Sequence, residues 1–77
     1  MWQEENNSLY KKFIFKDFNE AFRFLTTVAQ IAEEQGHHPH ITNEYNIVEL
    51  RLRTHDAGNI ITQKDRKLAD AIDKISI

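Results

Sequence analysis

The chain contains no cysteine. That excludes disulfides and thiolate metal centres, and it fits a reducing, cytoplasmic setting. Two glycines and one proline are too few to build a flexible or proline-rich linker. Long apolar runs are missing too. Phe13-Ile14-Phe15 is typical of the longest, whereas a membrane-spanning helix needs about 20 such residues, so no membrane segment is expected. The opening Met1-Trp2-Gln3-Glu4-Glu5 carries acid where a secretion signal carries base and then an apolar stretch. Positive charge is not in excess either, the formal net charge being -2. Nucleic-acid binders present a basic field to the phosphates, so direct contact with DNA or RNA is not expected. There is no glycine-rich phosphate loop and no serine in a nucleophile elbow.

What remains is a globular composition, 40% hydrophobic and 29% charged. Its 77 residues suffice for a single domain, 1–77. A domain near this size buries only about 60% of its unfolded surface. Self-association would add burial, and a homodimer or homotetramer is expected.

The apolar pattern predicts six elements. Leu9 to Lys16 alternates as a strand, with Lys11 and Ile14 breaking the alternation. Asn6-Asn7 predicts a tight turn back to a short strand, Trp2 to Glu5. Asp17 with Glu20 is a capping box that starts a helix. Its expected core face is Phe18, Ala21, Phe22, Leu25, Val28, Ala29 and Ala32. Phe24 and Ile31 form a flanking stripe that fits either a wider core or a subunit contact. Gly36 ends the helix. A short strand, His40 to Glu44, and a turn at Tyr45-Asn46 follow. Val48, Leu50 and Leu52 then alternate with Glu49, Arg51 and Arg53 as a half-buried antiparallel strand. After a turn at Asp56-Ala57-Gly58-Asn59, Thr62 and Asp65 cap a second helix with Leu68, Ala69, Ile72 and Ile75 inward. The order β-β-α-β-β-α predicts a two-layer α+β fold, a four-stranded antiparallel sheet with both helices on one face.

Two segments stand out from this frame. Gly36-His37-His38-Pro39-His40 holds three of the four histidines, and Thr54-His55-Asp56 holds the other. Both lie where elements end, and such connections often carry function. Imidazole exchanges protons near neutrality. Zinc on His37, His38 and His40 is the competing reading. Adjacent histidines in an extended segment point apart, however, and one-segment zinc sites use wider spacings. Asp65 and Glu33 have plain explanations as a capping residue and a solvated helix residue.

Taken together, Glu33, His37-His38-Pro39, Tyr45, Thr54-His55 and Asp65 resemble the spaced motif of the pterin-4a-carbinolamine dehydratases. The likeness runs from about Leu9 to Ile75 and includes Phe13-Ile14-Phe15-Lys16-Asp17-Phe18. It departs in two places. The family usually has a further helix and strand before the Phe-rich strand. It also tends to Gly-Gly-Leu-Thr where this chain has Gly58-Asn59-Ile60-Ile61-Thr62.

The resemblance implies a hydro-lyase that converts a 4a-hydroxytetrahydropterin, a product of aromatic amino-acid hydroxylases, to quinonoid dihydropterin and water. The reaction moves two protons and no electrons to an acceptor, so neither metal nor other cofactor is expected. His37 is assigned as the acid for the leaving hydroxyl, His55 as the second acid/base, and His38 as a positioning ring. By the resemblance, Asp65 orients a pocket histidine. Glu33, Gly36, Arg53, Thr54 and Asp56 are assigned to substrate binding, chiefly through backbone groups along 53–56. His40 matches no functional position. The alternative within the same fold is a non-catalytic scaffold, an assembly or dimerisation factor.

Overall fold

The computed structural model describes residues 1–76; the last residue of the expected 1–77 domain lies outside them. Strands β1 (Gln3–Glu5) and β2 (Ser8–Ile14) are followed by α1 (Phe18–Gln35). Next come β3 (His40–Glu44), β4 (Ile47–Leu52), a single 3₁₀ turn (His55–Ala57) and α2 (Gln63–Asp73). The sheet is antiparallel in the order β1-β2-β4-β3, so the α+β architecture expected above is the one found.

Local chemistry explains each joint. Asn6 and Asn7 both take left-handed backbone angles, φ 51° and 61°, which asparagine tolerates and a two-residue hairpin turn requires. Asp17 accepts the Glu20 N–H at 2.9 Å and starts α1. Glu20 reaches one residue beyond the expected reciprocal bond and accepts from Lys16 N–H at 2.9 Å. Gly36 closes α1 with φ 63°, a left-handed angle that favours glycine.

One face of the sheet carries the core. Leu9, Val48, Leu50 and Leu52 are buried there against Ala21, Phe24, Leu25 and Val28 of α1 and Leu68, Ala69 and Ile72 of α2. Both helices therefore cover the same face. The pairing register places Lys11 opposite Leu50, on the core side. Its amine escapes to the Asp73 carboxylate at 2.9 Å and lies 5.1 Å from the Phe13 ring, which explains the broken alternation. Ile14 falls on the opposite face and is exposed.

The core face of α1 is turned from the expected one. Phe24 is buried between Phe13 and Phe15, with ring centroids 4.7 and 4.9 Å away. Ile31 packs at the core margin. Phe18, Phe22 and Ala29 point outward and are exposed. The stripe 21-24-25-28-32 has the same period as 18-22-25-29-32. Phe24 is selected because only that stripe meets the two phenylalanines of the Phe-rich strand region.

The other sheet face is polar. The Tyr10 hydroxyl donates to Glu49 at 2.8 Å, and that bond pushes the phenol above its usual titration range. Arg51 donates to Glu5 at 2.9 Å and lies 4.4 Å from the Tyr10 ring. No helix among the described residues is long and apolar enough to cross a membrane.

Candidate active site

The end of α1 and the end of β4 lie side by side, and each carries histidine. At the α1 end, the Gly36 N–H is satisfied by the Glu33 carbonyl and the His37 N–H by the Ala32 carbonyl. The chain turns sharply there and presents His37 and His38. At the β4 end, Thr54 forms a bridge with Ile60, its N–H donating to the Ile60 carbonyl at 2.8 Å. The Thr54 carbonyl accepts from Asn59 N–H at 3.0 Å and closes a tight loop around the 3₁₀ turn. His55 is the first residue of that turn.

These two ends and the start of α2 enclose a cavity of about 210 Å³. Gly36, His37 and His38 line it from one side, Arg53, Thr54, His55 and Asp56 from another, and Lys64 from α2. Imidazoles from two separate segments therefore meet at one cleft. Two of the expected residues do not line it. Asp65 is wholly buried behind His37, and Glu33 stands exposed on α1 and reaches the cleft edge only through His38.

Asp65 is the anchor. Its Oδ1 meets His37 Nε2 at 2.5 Å. Its Oδ2 accepts from the Thr54 hydroxyl and from the Thr62 N–H, each at 2.8 Å. The Thr54 and Thr62 hydroxyls are 2.6 Å apart. Capping and histidine orientation thus use different oxygens of one carboxylate. Because a carboxylate only accepts, this contact fixes the His37 proton on Nε2 and leaves Nδ1 as the exchanging nitrogen.

The other two rings follow the same plan. His38 Nε2 lies 2.9 Å from Glu33 Oε1, in an exposed pair. His55 Nδ1 lies 3.2 Å from Asn59 Oδ1. Each cleft histidine has one ring nitrogen held by a neighbouring side-chain oxygen and one without a hydrogen-bond partner among the described residues. Among those residues, no three His, Asp or Glu side chains are grouped to share a metal ion.

Two contributors escaped the sequence reading. Lys64 is not among the residues expected at the site, and only the fold carries it to the cleft. Asn59 stood out as a departure from a glycine, and its turn position gave the one available signal. It holds a left-handed φ of 60°, which explains why glycine is at home there. Asparagine adds an amide oxygen for His55 that glycine cannot supply.

Fold and cleft together define a two-layer α+β domain with a histidine-lined site at one end of its sheet. The sequence matches the profile of the pterin 4 alpha carbinolamine dehydratase family over residues 1–75. The chain belongs to that family. A Prochlorococcus marinus protein, named provisionally as a pterin-4-alpha-carbinolamine dehydratase, is 51% identical over 74 residues, covering 96% of this chain and 76% of the relative. A Chloroflexus aurantiacus protein with the same provisional name is 50% identical over 74 residues, covering 96% and 78%. Among solved structures, a transcriptional coactivator/pterin dehydratase from Brucella melitensis superposes with a TM-score of 0.88 at 38% identity, covering 94% of this chain and 78% of that one. A pterin dehydratase-like protein identified as a RuBisCO assembly factor of the alpha-carboxysome superposes with a TM-score of 0.74 at 27% identity, covering 95% and 83%.

Proposed function

We propose that this chain is a hydro-lyase that dehydrates a 4a-hydroxytetrahydropterin to the quinonoid dihydropterin, in recycling of a tetrahydrobiopterin-type cofactor in the cytoplasm. The observation that carries this reading is the meeting of His37, His38 and His55 at one cleft. Each of the three keeps one ring nitrogen without a partner among the described residues.

The chemistry needs little else. The C4a–O bond breaks as the N5 lone pair forms the N5=C4a double bond. The departing hydroxyl takes a proton and leaves as water, and N5–H gives its proton to a base. One imidazolium and one neutral imidazole do both, and exchange with solvent restores them. Each well-placed proton transfer contributes about 10²- to 10⁴-fold.

His37 is the acid. Its Nε2 is held by Asp65, so Nδ1 carries the proton to the leaving hydroxyl. His55 is the base for N5–H through Nε2, its Nδ1 being turned to Asn59. His38 is steadied by Glu33 and braced by Pro39, and it positions the ring; Glu33 acts through it. Gly36 and the backbone of Arg53, Thr54 and Asp56 supply donors and acceptors for the polar edge of the pterin. The test is a rate. Added protein should accelerate loss of the 4a-hydroxyl from freshly generated carbinolamine well above the buffer reaction; no acceleration by folded protein contradicts the reading.

We also read the chain as a homodimer or homotetramer, and its exposed apolar groups support that reading. Phe18, Phe22 and Ile41 are exposed, and an apolar groove of about 460 Å³ runs between α1 and β3 beside Phe22, Ala29 and Ile41. A second reading, a scaffold without catalysis, is favoured by one observation, the likeness to a protein described as a RuBisCO assembly factor. Its test is the same rate measurement with the opposite result, in a protein that still binds pterin.

A further inference from the structure

The histidine cleft has a neighbour. A depression of about 280 Å³ adjoins it and shares His38, Arg53 and His55. Its remaining wall comes from Pro39, His40, Arg51 and Asn59. That lining holds two guanidiniums and three imidazoles and no carboxylate, although the chain as a whole has 12 acids against 10 bases. The fixed positive charge of that lining is its two guanidiniums.

The two arginines differ. Arg51 is paired with Glu5 and stacked on Tyr10, so most of its charge is already answered. Arg53 lies two residues further on, one past the end of β4, and no described residue forms an ion pair or side-chain hydrogen bond with it. It is exposed and stands between the two hollows, lining both. A guanidinium offers a planar fork of donors that matches phosphate or carboxylate.

Size points the same way. The histidine cleft alone, about 210 Å³, falls below the roughly 300–1,000 Å³ usual for small-molecule sites. A ligand of ordinary size must extend out of it. Pterin chemistry says where. The reacting C4a–N5 bond adjoins C6, the carbon that carries a pterin's variable substituent. With C4a and N5 at the catalytic histidines, a C6 substituent leaves the cleft beside them. The depression that shares His38 and His55 is beside them.

We propose that this annex receives an anionic C6 substituent, a phosphate ester or a carboxylate, with the Arg53 side chain as its principal partner and His40 and Arg51 as the surrounding field. Arg53 thereby becomes a specificity determinant of this protein. The inference rests on the dehydratase reading for the placement of the ring, and the experiment separates the two.

Dehydration is measured for two carbinolamines, one with a neutral 6-hydroxymethyl group and one with its phosphate ester, and a third arm uses a C6 side chain ending in a carboxylate. Binding of the corresponding oxidised, unreactive pterins is measured by calorimetry. The proteins are the unmodified chain, Arg53→Ser and Arg53→Lys. Expected is a preference for the anionic ligand of about five- to tenfold in kcat/KM and in affinity. It should shrink with added salt, collapse in Arg53→Ser and return in part in Arg53→Lys. Phosphate and carboxylate arms that differ identify which anion is read. Equal handling of neutral and anionic ligands by the unmodified chain and by Arg53→Ser overturns the annex and leaves the dehydratase reading intact. Arg53-dependent binding of the anionic pterin without turnover of any carbinolamine supports the annex and overturns the dehydratase reading. No binding of either pterin to folded protein overturns both.

Discussion

Asp65 shows how much one buried side chain can organise. It is wholly inaccessible, and three donors converge on it: the His37 ring, the Thr54 hydroxyl and the Thr62 N–H. Truncation strands all three. Asp65→Ala should lower unfolding free energy by about 3 kcal/mol or more, measured by urea denaturation. Asp65→Asn keeps an acceptor for the cap, but its amide can donate to His37 and favour the other tautomer. It should retain more stability than Asp65→Ala while losing dehydration, a split that a purely structural role would not give. Asn59 makes a milder test. Its left-handed backbone suits glycine, so Asn59→Gly should change stability by less than about 1 kcal/mol. Turnover should fall several-fold through a loosened His55; unchanged kinetics would show that the amide does not orient the ring.

At the scale of elements, most of the plan was legible in the residues. Asn6-Asn7, Asp17 and Thr62 fix the hairpin and both helix starts through local hydrogen bonds, and local bonds are what a sequence displays. The alternation of Val48, Leu50 and Leu52 marks the central strand for the same reason. The rotation of α1 was not legible. Phe22 and Phe24 are equally apolar, and the choice between them depends on contact with Phe13 and Phe15 from another element. Phe24→Ala should cost about 3–5 kcal/mol, as for a large core residue. Asp17→Ala should cost about 1 kcal/mol, as for a helix cap. Urea midpoints at matched protein concentration check both. The site divides likewise: His37, His38 and His55 announced themselves by type and position, whereas Lys64 is visible only once α2 is folded against β4.

At the scale of the molecule, a small domain has left phenylalanine on its surface. Phe18 and Phe22 are each about half exposed, 48% and 51%, and their rings lie 5.5 Å apart. Sedimentation should report a dimer or tetramer for the unmodified chain and a smaller species for Phe22→Glu. A monomer at micromolar concentration would contradict the association reading.

The decisive measurement is the dehydration rate of a freshly generated 4a-hydroxytetrahydropterin with the unmodified chain, His37→Ala and His55→Ala, each verified as folded. Each replacement should cost about 10²-fold or more in kcat. Full turnover by both variants would contradict an acid–base cleft built from these imidazoles.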